Sequence, residues 1–196
     1  MRKLAVVISL LAAVGLTVVA AAALADRGNG NGHGKKFSAK LIGFEETPSE
    51  STPGNGKFRA RIMNGNVIHY TLHYEDFEQP AEGATTAAHI HFGQRCVAGG
   101  VSAFLCGGGD KPPCTPTQGD FEGDIDAADV VGPAGQGIAA GELTEVVRAL
   151  RAGAVYANVH TAKYPGGEIR GQVGSKGRNG KNGHDRKNGD HKGKGN

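Results

Sequence analysis

Hydrophobic and polar positions alternate with a period of two along much of the chain. In GKFRARIMNGNVIHYTLHYEDF, Phe58, Ala60 and Ile62 alternate with Arg59 and Arg61. Further on, Ile68, Tyr70, Leu72 and Tyr74 alternate with His69, Thr71 and His73. Successive side chains of a strand point to opposite faces, so each run reads as a strand with one buried side. Asn64-Gly65 between them is the signal of a tight hairpin turn that needs positive φ. FSAKLIGF (37–44) alternates more weakly, on both faces. Further strands are expected at 85–92, 101–105 and 119–125. YANVHT and GGEIRGQV, near 155–161 and 167–173, read as a last hairpin joined through KYPGG.

The period changes in ELTEVVRALRAG. Leu143, Val146, Val147 and Leu150 share one helical face, with Glu142 and Glu145 near the start, Arg148 and Arg151 near the end, and Gly153 placed to stop the helix. That charge order suits the helix dipole. A short helical turn is also expected at AADV (127–130). Many short strands with turn signals and one crossing helix predict an all-β, antiparallel β-sandwich.

Composition adds the ends. The chain opens with Arg2 and Lys3, a long Ala/Val/Leu run, and Ala23-Leu24-Ala25 as a small-x-small site, which reads as a signal peptide over 1–25. Export follows, to an extracellular or periplasmic location, with no transmembrane span after cleavage. Residues 37–173 carry ten Lys/Arg against sixteen Asp/Glu, whereas residues 174–196 carry seven against two. Gly/Asn-rich 26–36 and basic 174–196 hold almost nothing that could be buried, so both read as a disordered linker and tail around one domain, 37–173. The tail reads first as a solubilising segment with no partner, and otherwise as cations suited to an anionic envelope polymer, an acidic polysaccharide or a lipid surface; an extracellular protein is the other expected partner, and no nucleic acid is expected. Three cysteines, Cys96, Cys106 and Cys114, fit an exported protein with one disulfide. Cys106 and Cys114 flank GGGDKPP, a stretch able to turn back on itself, which makes them the expected pair and leaves Cys96 over.

Candidate chemistry rests on histidine. In TTAAHIHFGQRC, His89 and His91 share one strand face, with Ala88, Ile90 and Phe92 on the other. In YANVHT, Tyr156, Asn158 and His160 share a face opposite Val155, Ala157 and Val159. If the two strands meet, His89, His91 and His160 make a three-nitrogen site with an open position, suited to copper or zinc. The competing reading is that these histidines hydrogen-bond within the sheet. His69 and His73 read as polar decoration, and Asp124, Asp126 and Asp129 as turn caps rather than a calcium loop. Glu168 and Arg170, two apart on one strand face, suggest a structural ion pair. No Ser-His-Asp arrangement, phosphate-binding glycine loop or nucleophile elbow is present in the sequence.

AHIHFG, GDIDAADVVGP, GIAAGELTEVVRALRAG and YANVHTAKYPGGEIRGQV, in that order, resemble the CHRD domain, first described in the animal protein chordin and widespread in exported bacterial proteins. The likeness covers about Phe37 to Val173. It implies an immunoglobulin-like or superoxide-dismutase-like Greek-key sandwich and brings no biochemical activity. The His-x-His pair resembles the copper ligands of copper-zinc superoxide dismutases, but that enzyme's bridging histidine and zinc-site aspartate have no counterpart. Cys96 stands where relatives are expected to carry glycine. Two functions remain open from sequence: a non-catalytic extracellular binding or structural module, or an exported copper- or zinc-binding protein with possible redox activity.

Overall fold

A computed structural model describes residues 36–64, 67–78 and 84–175. The expected signal peptide over 1–25, the expected linker up to residue 35 and the tail from residue 176 lie outside the described residues.

The alternating runs form strands. β1 (Lys36–Ile42), β2 (Asn55–Met63) and β3 (Val67–Glu75) pair antiparallel in sequence order. β6 (Gly119–Ile125) adds to the free side of β3, across a connection that contains β4 (Thr85–Phe92) and β5 (Gly100–Cys106). β4 also pairs with β7 (Val155–Thr161), and β7 with β8 (Ile169–Gln172). The strand order is β5-β4-β7-β8-β1-β2-β3-β6, with the short β9 (Gly174–Ser175) pairing β1. The all-β, antiparallel architecture read from the sequence is therefore what folds. Its two layers are not separate sheets. They join through the single register pair Ile42↔Arg170, which makes one strand path that closes nearly into a barrel. Across the core, the Tyr70 hydroxyl on β3 donates to the Leu105 carbonyl on β5 at 2.8 Å, tying the two layers together.

The buried faces follow the alternation. Phe58, Ile68, Leu72 and Tyr74 from one layer meet Ile90, Leu105, Val155, Ala157 and Val159 from the other, all fully buried. Burial of such side chains contributes about 1.5–3 kcal/mol each relative to exposure. α1 (Leu143–Ala152) lies in the connection between β6 and β7 and buries Leu143, Val146, Val147, Ala149 and Leu150. Gly153 ends it with φ 75°, a left-handed conformation that glycine adopts without Cβ strain.

Three local expectations change and one holds. The first strand stops at Ile42 because the Gly43 carbonyl accepts from the Glu46 and Glu50 N–H groups, closing a 3-10 turn that leaves Phe44 exposed. The expected tight turn between β2 and β3 holds: the register pairs Met63 with Val67, and Asn64 takes a positive φ of 50°. The segment 127–130 is a bend and turn, not a helical turn, held by Ala128 N–H donating to Asp126 and Asp126 N–H donating to Asp129. Finally, Glu168 and Arg170 do not pair. Glu168 precedes β8 and turns into the core end, accepting from the Thr52 and Thr161 hydroxyls at 2.5 and 2.7 Å. Arg170 points to the outer side, towards the carbonyls of Gln94 and Val97.

Candidate metal centre

β4 lies between β5 and β7, so its outward side chains are flanked on both sides. Ala88 and Ile90 point into the core, while His89 and His91 point out of the layer and are still only 9% and 7% exposed. Register shifts against β5 fall at Ala88/His89 and Ile90/His91, and one against β7 falls between Thr85 and Ala87. Irregularities of this kind re-aim side chains from their ideal directions. From β7, Tyr156 registers with His91, Asn158 with His89 and His160 with Ala87. The three imidazoles converge, and one ligand atom from each of His89, His91 and His160 lies within 4.8 Å of the others.

Their hydrogen bonds fix which nitrogens are free. A carbonyl can only accept, so His91 Nδ1 carries its proton towards Gly99 O at 3.0 Å, and His160 Nδ1 carries its proton towards Pro165 O at 3.0 Å. Each bond leaves the Nε2 lone pair unused. His91 Nε2, His160 Nε2 and His89 Nδ1 are all buried without a hydrogen-bond partner. Backbone carbonyls holding the distal ring N–H are the usual second shell of metal-ligating histidines.

The electrostatics agree. Burial pushes the His89 imidazole down to about 3, aided by the neighbouring His160 and His91 rings. Burial likewise brings His91 down to about 4, against the opposing Gly99 hydrogen bond, and it lowers His160. All three rings are neutral near neutral pH, the form that offers a lone pair to a metal.

Residues that sequence reasoning gave no part in this site surround the trio. The Tyr156 ring stacks on His91 at 4.7 Å, nearly parallel, and the Arg170 guanidinium lies 3.4 Å from the Tyr156 ring centroid. Tyr156 and Gly99 also exchange hydrogen bonds, with Gly99 N–H donating at 3.1 Å. Arg170 donates to Gln94 and Val97 carbonyls, both at 2.9 Å, pinning the loop whose Gly99 carbonyl orients His91. Phe104 from β5 meets His89 edge-on at 4.5 Å. Beside the site, Asn158 Nδ2 donates to both Glu46 carboxylate oxygens, and burial raises Glu46 to about 7 against the pull of Arg170. Gly167, at φ 131°, leaves room for that pair, since a Cβ there would stand 2.6 Å from Glu46 Oε1. Glu46 sits outside any periodic run, 112 residues from Asn158, so no local pattern announced it.

The CHRD domain family model matches residues 37–173, nearly the whole described fold. The chain belongs to the CHRD domain family. No curated protein and no solved structure matches it. In this CHRD domain the most specific motif, NVHTAKYPGGEIRGQV, supplies Asn158, His160, Pro165, Gly167 and Arg170, so it builds one side of the histidine cluster.

The remaining candidates have ordinary roles. Cys106 and Cys114 form a disulfide across a sequence separation of 8, and Cys96 is free and exposed. Cys96 has φ 62°, a left-handed conformation that favours glycine. His69 bonds Asp124 at 2.8 Å and Glu122 at 3.2 Å, and His73 bonds Asp120 at 2.8 Å, all on an exposed sheet face. Asp129 accepts from Lys111 at 2.7 Å, consistent with a turn rather than a calcium loop. Among the described residues no helix is long and apolar enough to cross a membrane.

Proposed function

We propose that this CHRD domain is an exported module that holds one copper or zinc ion on His89, His91 and His160 and leaves one position open to a further ligand. The observation that carries the reading is the convergence of three buried, neutral imidazole nitrogens without hydrogen-bond partners. An unsatisfied buried polar atom costs about 1–3 kcal/mol. Three of them, one on each ring of a single cluster, are therefore an expensive arrangement unless a ligand repays it. Imidazole nitrogen suits zinc and copper(II), whereas magnesium and calcium take oxygen ligands. Three protein ligands with an open fourth position distinguish such a site from a closed structural one. Export is supported by the Cys106–Cys114 disulfide, which persists in oxidising compartments, and by the signal-like residues 1–25.

The test is calorimetric titration of the full mature chain with zinc and copper(II), beside the His91→Ala variant. One tight ion per chain is expected, with only weak binding left in His91→Ala from the histidines of the tails. A tight site that survives His91→Ala would overturn the proposal.

A further inference from the structure

The outer face of the other layer carries a different pattern. β1 presents Lys36, Ser38 and Lys40, and β2 presents Lys57, Arg59 and Arg61, with all five cations exposed. The register sets Lys36 directly opposite Arg61 and Lys40 directly opposite Lys57. Like charges facing each other across a strand pair are destabilising. None of the five forms an ion pair among the described residues. The nearby acids are already engaged. Asp120, Glu122 and Asp124 on β6 are held by His73 and His69 of β3, which stand between them and β2. A domain with an acidic excess thus places four of its ten Lys/Arg on one face of two adjacent strands, where they repel one another.

We infer that the outer face of β1 and β2 is a docking surface for a linear, carboxylate-bearing polysaccharide. Charge complementarity gives the sign of the partner, because an anion between Lys40 and Lys57 or between Lys36 and Arg61 removes the cross-strand repulsion. The shape gives its form. The cations make a stripe two strands wide, about 10 Å, beside a trough of 670 Å³ whose charged lining is Lys40, Lys57, His73, Glu75 and the paired Arg95 and Glu45. On the same sheet the β6 carboxylates bound this stripe, so a broad anionic membrane would press against them while a single chain lies clear. The outward side chains of β1, β2 and β3 include no Phe, Tyr or Trp ring on which nucleic-acid bases could stack, and their two imidazoles are held by the β6 carboxylates. The chain leaves the fold at Gly174–Ser175, paired with Ser38 and Phe37, so the seven Lys/Arg of residues 174–196 follow from a point beside Lys36.

The experiment measures binding of the full mature chain to polygalacturonate, with neutral dextran and phosphatidylglycerol vesicles as comparisons. Lys57→Gln/Arg59→Gln is set against Arg148→Gln/Arg151→Gln on α1, which removes the same charge elsewhere. Exposed charge contacts contribute roughly twofold to fivefold each. The sheet variant is therefore expected to bind the polymer about fivefold or more weakly and the helix variant about as well as the parent, with salt weakening all three. Because Lys57→Gln also relieves repulsion with Lys40, the sheet variant should melt no lower than the parent, which separates lost docking from lost folding. Equal loss in both variants, no binding to polygalacturonate, or tighter binding to vesicles than to the polymer would each overturn the inference.

Discussion

Acidification of the metal-free domain sets two buried groups against each other. His89 and His91 titrate at about 3 and about 4 in the fold, against 6.5 for a free imidazole. A histidine with a lowered folded pKa binds its proton only in the unfolded chain, so stability is lost as pH falls below 6.5. Between about pH 7 and about pH 5 each ring removes about 2 kcal/mol, about 4 kcal/mol for the pair. His160, also lowered, pushes the same way. Glu46 acts in the opposite sense. Its folded pKa of about 7 lies above the ordinary 4.5, so the fold takes up a proton first and gains stability as pH falls through 7. That offsets about 2 kcal/mol over the same interval. From His89, His91 and Glu46 together the net loss for the parent is about 2 kcal/mol, and His160 adds to it. In Glu46→Gln, which keeps an oxygen to accept from Asn158 Nδ2 and cannot titrate, the loss grows to about 4 kcal/mol. Urea denaturation with a chelator present, followed by tyrosine fluorescence in a chain without tryptophan, reads both values. Stability unchanged or rising at the lower pH, in parent and variant alike, would refute the claim that these imidazoles are buried and neutral.

Other substitutions test the frame around the cluster. Arg170→Lys keeps a charge but loses the paired donation to Gln94 and Val97 and the stack on Tyr156; it should cost about 2 kcal/mol. Because the same loop carries the carbonyl that orients His91, zinc affinity in that variant should fall about tenfold, as measured by competition with a chromogenic chelator. Gly167→Ala forces a side chain against Glu46 and Asn158 at φ 131° and should cost about 3 kcal/mol in urea denaturation. Reducing the Cys106–Cys114 bridge, or replacing both cysteines with alanine, should lower stability by about 2–3 kcal/mol in the chain-entropy account, without altering metal stoichiometry.

Much of the strand framework was legible because period-two alternation is strong wherever one strand face is buried. β2, β3, β4 and α1 fall where the pattern placed them. The same alternation put His89 and His91 on one face, and Tyr156, Asn158 and His160 on another. What it could not give was the β4–β7 pairing that brings those faces together, since register between distant strands leaves no mark in either strand alone. The Glu168–Arg170 expectation failed for a related reason. It assumed regular strand through Glu168, but β8 begins one residue later, which sends the carboxylate inward to Thr52 and Thr161. Glu46 was illegible because it acts from a turn through contacts far away in sequence. The repulsive pairing of Lys40 with Lys57 likewise appears only once the register is fixed.

The most direct measurement is anomalous diffraction from crystals of the mature chain grown with zinc, recorded on both sides of the zinc edge. The expected result is one strong peak about 2.0–2.1 Å from three ring nitrogens, those of His89, His91 and His160. A peak elsewhere, with these nitrogens still without a partner, would contradict the assignment of the cluster as a metal centre.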